Sequence, residues 1–303
     1  MQNLQEQSFS ENLDEVNLKE IYYVLLKSKN LVISVIFLFT LAGIGYSLWA
    51  PKIWTSSALL TISDSDNSSF NSASAGGLAS LANLGMSNGN TQKGSKALAI
   101  AESREFFEHL LTFEQVLPNL MAVKSFDLNA KKNIFDEAIY DSDNKTWLAF
   151  KPPSWLAYKK YKKISTIDFD PKSGFVSISI SHRSPQFSKD FLDLIIRELN
   201  LLSRKRALQQ SQDSLNYLYD ELASSQLGDV KLAISQLIET QLKTQMLARV
   251  KVDYSLETLD KPYYPNERSS PQRKKITIAA FFLGVFFSIF YVLGRFFLQK
   301  NLD

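Results

Sequence analysis

Two long apolar segments without a charged residue lie near opposite ends of the chain, from Leu31 to Ala50 and from Ile276 to Gly294. Each has the ~20 residues that a helix needs to cross a hydrocarbon core roughly 30 Å thick. Because lipid offers the backbone no hydrogen-bond partner, such spans must be helices or closed barrels. The pattern therefore predicts two transmembrane helices. Buried core helices are the alternative, but soluble domains rarely contain such long uncharged runs.

The basic residues beside the first apolar segment predict its orientation. Lys19, Lys27 and Lys29 precede it, and Lys52 alone follows closely, which places the N-terminus in the cytoplasm. The basic run Arg273–Lys275 before the second segment argues the other way locally, but the first helix usually dominates and long loops translocate largely regardless of charge. We expect both termini inside and residues 51–275 outside the cytoplasmic membrane.

The first apolar segment is better explained as an uncleaved anchor than as a signal peptide. Its leader is long and carries several acidic residues, and no A-x-A-like cleavage site follows the run. The short polar ends leave no room for a catalytic or kinase domain, so we expect neither.

Alternating and β-branched stretches in the central region predict a sheet. Trp54–Ile62 follows the first apolar segment and is rich in Thr, Leu and Ile. Lys163–Phe169 and Phe175–Ser181 flank the turn sequence Asp170–Gly174 and predict a hairpin, whose second strand alternates apolar residues with serines. Val250–Leu259 predicts a final strand.

Helical spacing predicts short helices between these strands, at Ser95–Leu111, Leu128–Tyr140 and Ser154–Lys163. The stretch Ser63–Gly94 is dominated by Ser, Asn, Gly and Ala, which indicates a flexible excursion with a short helix at Gly77–Leu84.

A leucine ladder with a spacing of seven predicts one very long helix, from about Gln186 to Ser225. Phe187 begins the repeat, which continues through Leu194, Leu201, Leu208, Leu215 and Leu222. A spacing of seven returns to nearly the same helix face every two turns. The interleaved Glu198, Lys205 and Gln212 are polar, so the ladder predicts an apolar seam on a neighbouring helix and not an isolated two-stranded zipper.

The neighbouring helix is predicted directly after a reversal at Gly228. Asp229 is the expected N-cap residue. The apolar face of this second helix is predicted to consist of Val230, Ile234, Leu237, Ile238, Leu242 and Met246.

These patterns predict a membrane-anchored α+β protein, in which two transmembrane helices flank a periplasmic domain with a mixed α/β base and a long protruding helical hairpin. The predicted organisation is a cytoplasmic segment 1–30, transmembrane helix 31–50, periplasmic domain 51–275, transmembrane helix 276–294 and cytoplasmic tail 295–303. Within the periplasmic domain we expect the base at 51–185 and 250–261, the hairpin at 186–249 and a proline-rich link at 262–271.

The composition of the chain argues against several kinds of site and partner. The chain contains no cysteine, which excludes disulfides and thiolate metal sites and is compatible with a periplasm. The formal net charge is +3, too small to argue for nucleic acid as a partner.

Motifs for catalysis are weak. Gly89–Lys96 has the glycine spacing of a phosphate-binding loop, but its Ser and Lys are in reversed order and no strand precedes it. His109 and His182 have no metal-ligating partner at motif spacing, which favours structural roles. Asp168 and Asp170 border a turn, where aspartate is common for backbone reasons, although a carboxylate pair for glycoside chemistry is the alternative. We expect no enzyme activity and no cofactor.

The segment Pro262–Gly284 resembles the proline-rich signature of the Wzz-type chain-length determinants, the polysaccharide co-polymerases of Gram-negative bacteria. Pro262, Pro265, Ser270, Pro271 and Gly284 match that signature, whereas Gln272 replaces its usual lysine and the later glycines are missing. Residues Glu15–Glu20, Pro51–Ala58 and Leu237–Pro262 are also similar to the family.

The resemblance implies a non-enzymatic, homo-oligomeric inner-membrane scaffold that sets the length of O-antigen or a related polysaccharide made by a Wzy-type polymerase. The partners that it implies are other copies of the chain, that polymerase and membrane lipid, with nascent polysaccharide as a further candidate. The alternative is an inner-membrane adaptor of a polysaccharide export or efflux system. Under either reading, the ladder leucines would pack the hairpin or the oligomer.

Overall fold

The computed structural model describes residues 28–63, 89–148 and 150–300. The described residues form the following helices and strands, in chain order: α1 Lys29–Trp49, β1 Trp54–Ile62, α2 Gly89–Ala101, α3 Arg104–Leu110, α4 Val116–Ala122, β2 Val123–Asp127, β3 Lys132–Phe135, β4 Tyr140–Asp141, β5 Thr146–Trp147, α5 Ser154–Ile164, β6 Ser165–Asp170, β7 Phe175–His182, α6 Pro185–Ser224, α7 Gly228–Val250, β8 Leu256–Asp260 and α8 Arg273–Lys300.

The chain divides into two compact units. One contains the apolar helices α1 and α8, and the other is the mixed α/β unit Lys52–Ser269. The two predicted apolar helices and the predicted mixed α/β region are thus both present.

The main sheet of the α/β unit has four antiparallel strands in the order β6-β7-β1-β8. Trp54 pairs with His182 and Thr61 with Phe175, so β1 and β7 run side by side over most of their length. Strand β1 has the predicted bounds, and the predicted β6–β7 hairpin is confirmed. Gly174 has φ +73° in the connecting turn, a conformation that glycine adopts without steric cost.

The core of this unit lies between one face of the sheet and the first half of α6. Alternation places Val176, Ile178 and Ile180 on the buried face of β7, each at most 1% exposed. Phe191 and Ile195 of α6 join the same cluster. Ser184 begins the helix because its hydroxyl accepts a hydrogen bond from the Phe187 N–H, and Pro185 follows at the position where a missing N–H costs nothing.

The predicted helix at Leu128–Tyr140 is wrong, because this stretch contains a turn and strand β3. The Asp127 carboxylate accepts hydrogen bonds from the N–H groups of Asn129 and Ala130, which stabilises a turn in place of a helix. Strand β3 then pairs with β2. The predicted helix at Ser95–Leu111 is interrupted for a related reason, since α2 ends at Ala101 and the Ser103 hydroxyl caps α3 by accepting a hydrogen bond from the Phe106 N–H.

Two boundaries near the second long helix also differ from the prediction. Leu227, in extended conformation, is the N-cap of α7, and Asp229 lies within its first turn. The helix extends to Val250, so the last strand is Leu256–Asp260 and not Val250–Leu259. The predicted helix at Gly77–Leu84 lies outside the described residues.

Candidate functional site

The long helix α6 and the returning helix α7 form the predicted helical hairpin. At 1.5 Å per residue the 40 residues of α6 span about 60 Å. Only its first half belongs to the sheet-packed core described above. The distal part packs on α7 through a small cluster of buried side chains, Leu215, Ile234 and Ile238, with Leu218 and Leu222 partly buried against it.

The leucine ladder is divided between these two environments. Leu194 is buried in the core of the base, and Leu215 is buried in the hairpin seam. Leu222 packs beside Leu215, Leu208 is half-buried, and Leu201 is 40% exposed. The ladder therefore predicts the long helix and part of the hairpin seam, but it does not form one continuous interface within the chain.

The apolar face predicted for α7 is only partly buried. Ile234 and Ile238 face α6, whereas Leu237 and Met246 are 52% and 66% exposed. A substantial apolar surface of α7 is thus left uncovered within the chain.

Polar side chains tie the two helices together beside the apolar seam. The Ser211 hydroxyl donates a hydrogen bond of 2.8 Å to the backbone carbonyl of Gln241. The side-chain amide of Gln245 donates to the side-chain oxygen of Gln212 at 3.0 Å. Gln212 in turn donates to Asn216, so its amide is held from both sides.

A buried acidic residue lies where α6 leaves the base. Glu198 is 6% exposed, and its carboxylate Oε2 is 2.9 Å from Nε2 of His109 on α3. The other carboxylate oxygen accepts a hydrogen bond of 3.1 Å from Nε of Arg197. Buried carboxylates must be paired or hydrogen-bonded, and both oxygens of Glu198 are satisfied in this way. His109 therefore has a structural partner that lies 89 positions away in the sequence.

A cleft of about 580 Å³ begins at this pair and continues along α6 and α7. Its lining includes apolar, amide and cationic side chains: His109, Glu198, Leu201, Leu202, Arg204, Lys205, Leu208, Gln209, Gln212, Gln245 and Arg249. The volume is typical of small-molecule sites.

The proline-rich link is hydrogen-bonded to strand β1 and to the residue directly before it. The Ser56 hydroxyl donates a hydrogen bond of 2.8 Å to the backbone carbonyl of Tyr263, and the Ser269 N–H donates to the Ile53 carbonyl at 2.8 Å. Pro265 is buried and Pro262 is half-buried. The α/β unit thus holds this part of the link against its sheet. Ser270 and Pro271 of the motif belong to the other unit.

Close contacts between α1 and α8 occur at small residues. A Cβ placed on Gly284 would lie 3.0 Å from Cα of Ile36 and 3.1 Å from Cβ of Phe39. A Cβ on Gly43 would lie only 2.5 Å from Cβ of Ala280. Small residues let apolar helices approach closely, and Gly284 of the proline-rich signature lies at such a contact between these two helices. Gly43 and Ala280 were not among the predicted residues, although small residues in apolar helices are typical of such contacts.

The weak catalytic motifs have local structural explanations. The stretch Gly89–Lys96 lies within α2, which is a helix and not a phosphate-binding loop. The Asp170 carboxylate accepts hydrogen bonds from the Ser173 hydroxyl and the Lys172 N–H, and these bonds, the first above all, hold its pKa below the usual range. Asp168 is exposed on strand β6. The described residues contain no group of three or more His, Cys, Asp or Glu side chains that could hold a metal ion.

His182 is a buried structural histidine at the end of β7. Its Nδ1 accepts a hydrogen bond of 3.2 Å from the Ser184 N–H. Burial, and then the positive charges of Lys160 and Arg183, lower the pKa of His182 to about 3. The neutral imidazole thus supports the turn from the sheet into α6.

The described chain thus combines a sheet-based α/β unit, a long helical hairpin and a pair of helices that are long and apolar enough to cross a membrane. A family model described as "Wzz: Chain length determinant protein" matches residues 14–120, about a third of the chain. This match confirms the predicted resemblance to the chain-length determinants.

Two solved structures that are similar to this chain are polysaccharide co-polymerases. A full-length bacterial polysaccharide co-polymerase is 16% identical, with a TM-score of 0.38 over 94% of this chain and 99% of the other. A fragment of WzzB, the polysaccharide co-polymerase from Salmonella Typhimurium, is 13% identical, with a TM-score of 0.28 over 73% of this chain and all of the fragment. Both TM-scores lie below the level at which superposition establishes a shared fold. The curated proteins contain no match to this chain.

Proposed function

We propose that this protein is a non-catalytic regulator of polysaccharide chain length that acts with a Wzy-type polymerase. The observation that carries this proposal is the match of the chain length determinant family model to residues 14–120. The long hairpin and the paired apolar helices are compatible with a scaffold. O-antigen of lipopolysaccharide, or a related surface polysaccharide, is the proposed polymer.

The proposed location is the bacterial inner membrane, with α1 and α8 as spanning helices, the α/β unit in the periplasm and both termini in the cytoplasm. Large apolar side chains on both helices face outward, including Phe37, Leu38, Phe282 and Phe286, each more than 60% exposed. A core helix of a soluble protein would bury most of such side chains, whereas lipid would cover them. The basic residues before α1 support the orientation.

Assembly into a homo-oligomer is the third part of the proposal. Leu201 on α6 and the uncovered α7 residues Leu232, Leu237 and Met246 are between 40% and 66% exposed. Exposed apolar surface of this kind is typical of interaction sites. We infer that neighbouring copies cover part of the hairpin, with Leu201 as the ladder residue most available for contact.

Deletion of the gene tests the proposed function. The length distribution of the surface polysaccharide on a gel should broaden, while total polymer is retained, because the polymerase remains active without its regulator. The control is a deletion strain that carries the wild-type gene, which should recover the original distribution. Complete loss of surface polymer with an intact polymerase would instead favour the export adaptor, and an unchanged distribution would contradict the proposal.

The assembly is tested by comparing Leu201→Asp with Leu232→Asp in cross-linked detergent extracts. If α6 forms the contact, Leu201→Asp should reduce the oligomer, because a carboxylate in an apolar interface is costly to desolvate. Replacement of Leu215 is not informative here, since this residue is buried inside the hairpin. A wild-type protein that cross-links only as a monomer would contradict the oligomer.

A further inference from the structure

The cleft along α6 and α7 has an excess of positive charge. Arg204, Lys205 and Arg249 line it, and none of the three forms an ion pair with any residue that the structure describes. The carboxylate in the lining is Glu198, whose two oxygens are already occupied by His109 and Arg197. The unpaired charge that faces the cleft is therefore cationic.

The remaining lining suits a hydroxyl-rich ligand with apolar faces. Gln209 and Gln245 contribute side-chain amides, which can donate to and accept from hydroxyl groups. Leu208 contributes apolar surface against which the C–H faces of a sugar ring can pack. Guanidinium groups bind carboxylates with two parallel hydrogen bonds, so the arginines add a preference for an acidic group.

The amide side of the cleft is held in place before any ligand binds. Gln245 donates to Gln212, Gln212 donates to Asn216, and Gln209 donates to Asp213. At the other end, the His109–Glu198 pair fixes α3 against α6. Groups fixed in this way lose little conformational freedom when a ligand is bound.

We propose that this cleft binds a short acidic segment of a polysaccharide, such as one that contains uronic acid residues. Arg204 and Arg249 bind the sugar carboxylates, Lys205 adds positive charge, and the glutamine amides bind hydroxyl groups. This inference rests on the proposed function, which brings a polysaccharide to the protein. It adds the chemical class of the segment and its place on the hairpin.

Binding is tested with the full-length protein in detergent and a short oligogalacturonate as the probe. Arg204→Gln and Arg249→Gln should each weaken binding about tenfold, the loss expected for one charge-assisted contact. Lys231→Gln is the matched control, since it removes one positive charge from an exposed position on α7 outside the cleft. It should change the affinity by less than about twofold, because exposed charges beyond a Debye length are screened. Addition of salt should weaken binding to the wild type.

Three outcomes would overturn this inference. The first is no detectable binding of oligogalacturonate, and the second is equal binding of a neutral malto-oligosaccharide of the same length. The third is a change of oligomer size in both cleft variants, which would make the cleft a contact between copies of the chain. Chromatography of each variant beside the wild type distinguishes this last case from a lost ligand contact.

The failure of this inference can be separated from failure of the proposed function. If the deletion broadens the polysaccharide length distribution but the wild-type protein does not bind the probe, the cleft inference fails and the regulatory function stands. If the deletion leaves the distribution unchanged, the proposed function fails whatever the probe shows.

Discussion

Helix α6 connects two regions of very different packing. In the base, Leu192, Ile195 and Leu199 are fully buried between the sheet and the surrounding helices. In the hairpin, Leu215 is buried mainly against two side chains of a single partner helix, Ile234 and Ile238. One continuous helix therefore belongs to a large cooperative core at one end and to a narrow two-helix seam at the other. The heptad of leucines runs through both and does not distinguish them.

The two regions should differ in the cost of removing the same side chain. We expect Leu199→Ala to lower the free energy of unfolding by about 2–5 kcal/mol, because it leaves a cavity in a core that is closed on every side. Leu215→Ala should cost less, about 1–2 kcal/mol, because the thin seam can relax or admit water. Thermal unfolding in detergent, followed by circular dichroism, measures the ranking.

Leu128→Ala in the turn between β2 and β3 is the control for this pair, since Leu128 is 56% exposed and its truncation should change stability by less than about 0.5 kcal/mol. Equal losses for Leu199→Ala and Leu215→Ala would show that the hairpin is as tightly covered as the base, for example by neighbouring copies.

The contact between α3 and α6, at the border between the base and the hairpin, can be tested by replacing Glu198. We expect Glu198→Ala to cost about 1.5–3 kcal/mol, because it removes charge-assisted hydrogen bonds from the contact between α3 and α6. Glu198→Gln keeps one oxygen acceptor and should cost less. Hydrogen exchange of α3 measures the effect. If both variants match the wild type, the pair contributes nothing to the docking of α3.

The secondary structure of some stretches could be predicted from the sequence more accurately than that of others. Strand β1 was predicted to the residue because its Thr, Leu and Ile residues suit a strand, and the observed burial alternates along it. The helix predicted at Leu128–Tyr140 was wrong because a single carboxylate, that of Asp127, stabilises a turn that helical spacing does not reveal. Residue pattern therefore predicts a strand with regular burial, and it fails where two hydrogen bonds to one side chain stabilise a turn.

Contacts between residues that are far apart in the sequence could not be predicted from it. His109 and Glu198 were each noted in the sequence, but nothing in their spacing indicated that their side chains form a hydrogen bond. Likewise Gly43 and Ala280 lie in the apolar segments, but their contact depends on the register of two helices, which the sequence of each segment does not give. The division of the leucine ladder depends on where the sheet ends along α6, which the heptad does not encode.

The base should also be the pH-sensitive region, through His182. The folded protein holds the pKa of this histidine at about 3, below the ordinary value of 6.5, so the unfolded chain binds the proton more readily. The stabilisation is complete above about pH 6.5 and declines as the pH falls towards 3, by about 1.4 kcal/mol per pH unit. His182→Asn removes the titration and keeps an acceptor for the Ser184 N–H.

Hydrogen exchange at pH 7 and pH 5 measures this effect in the two regions. Protection of β7 and of the start of α6 should fall with pH in the wild type and fall less in His182→Asn. Protection of the seam between α6 and α7 should change less in both proteins. If the variant keeps the full pH dependence of the wild type, another group is responsible.

The smallest expected effect concerns the hydrogen bond from the Ser211 hydroxyl to the Gln241 carbonyl, which joins the two helices of the hairpin. Ser211 is 1% exposed, so Ser211→Ala leaves the site without its donor, although the carbonyl keeps its place in α7. We expect a loss of about 0.5–1.5 kcal/mol, the net contribution of one such bond. The loss should appear as faster hydrogen exchange in α7, with the base unchanged, because the seam can open without disturbing the sheet.

Ser214→Ala is the matched control, since the Ser214 hydroxyl donates to the backbone carbonyl of Gln210 within its own helix. If Ser211→Ala destabilises the base and the hairpin equally, the two regions unfold together, and the thin seam is as cooperative as the core to which it is attached.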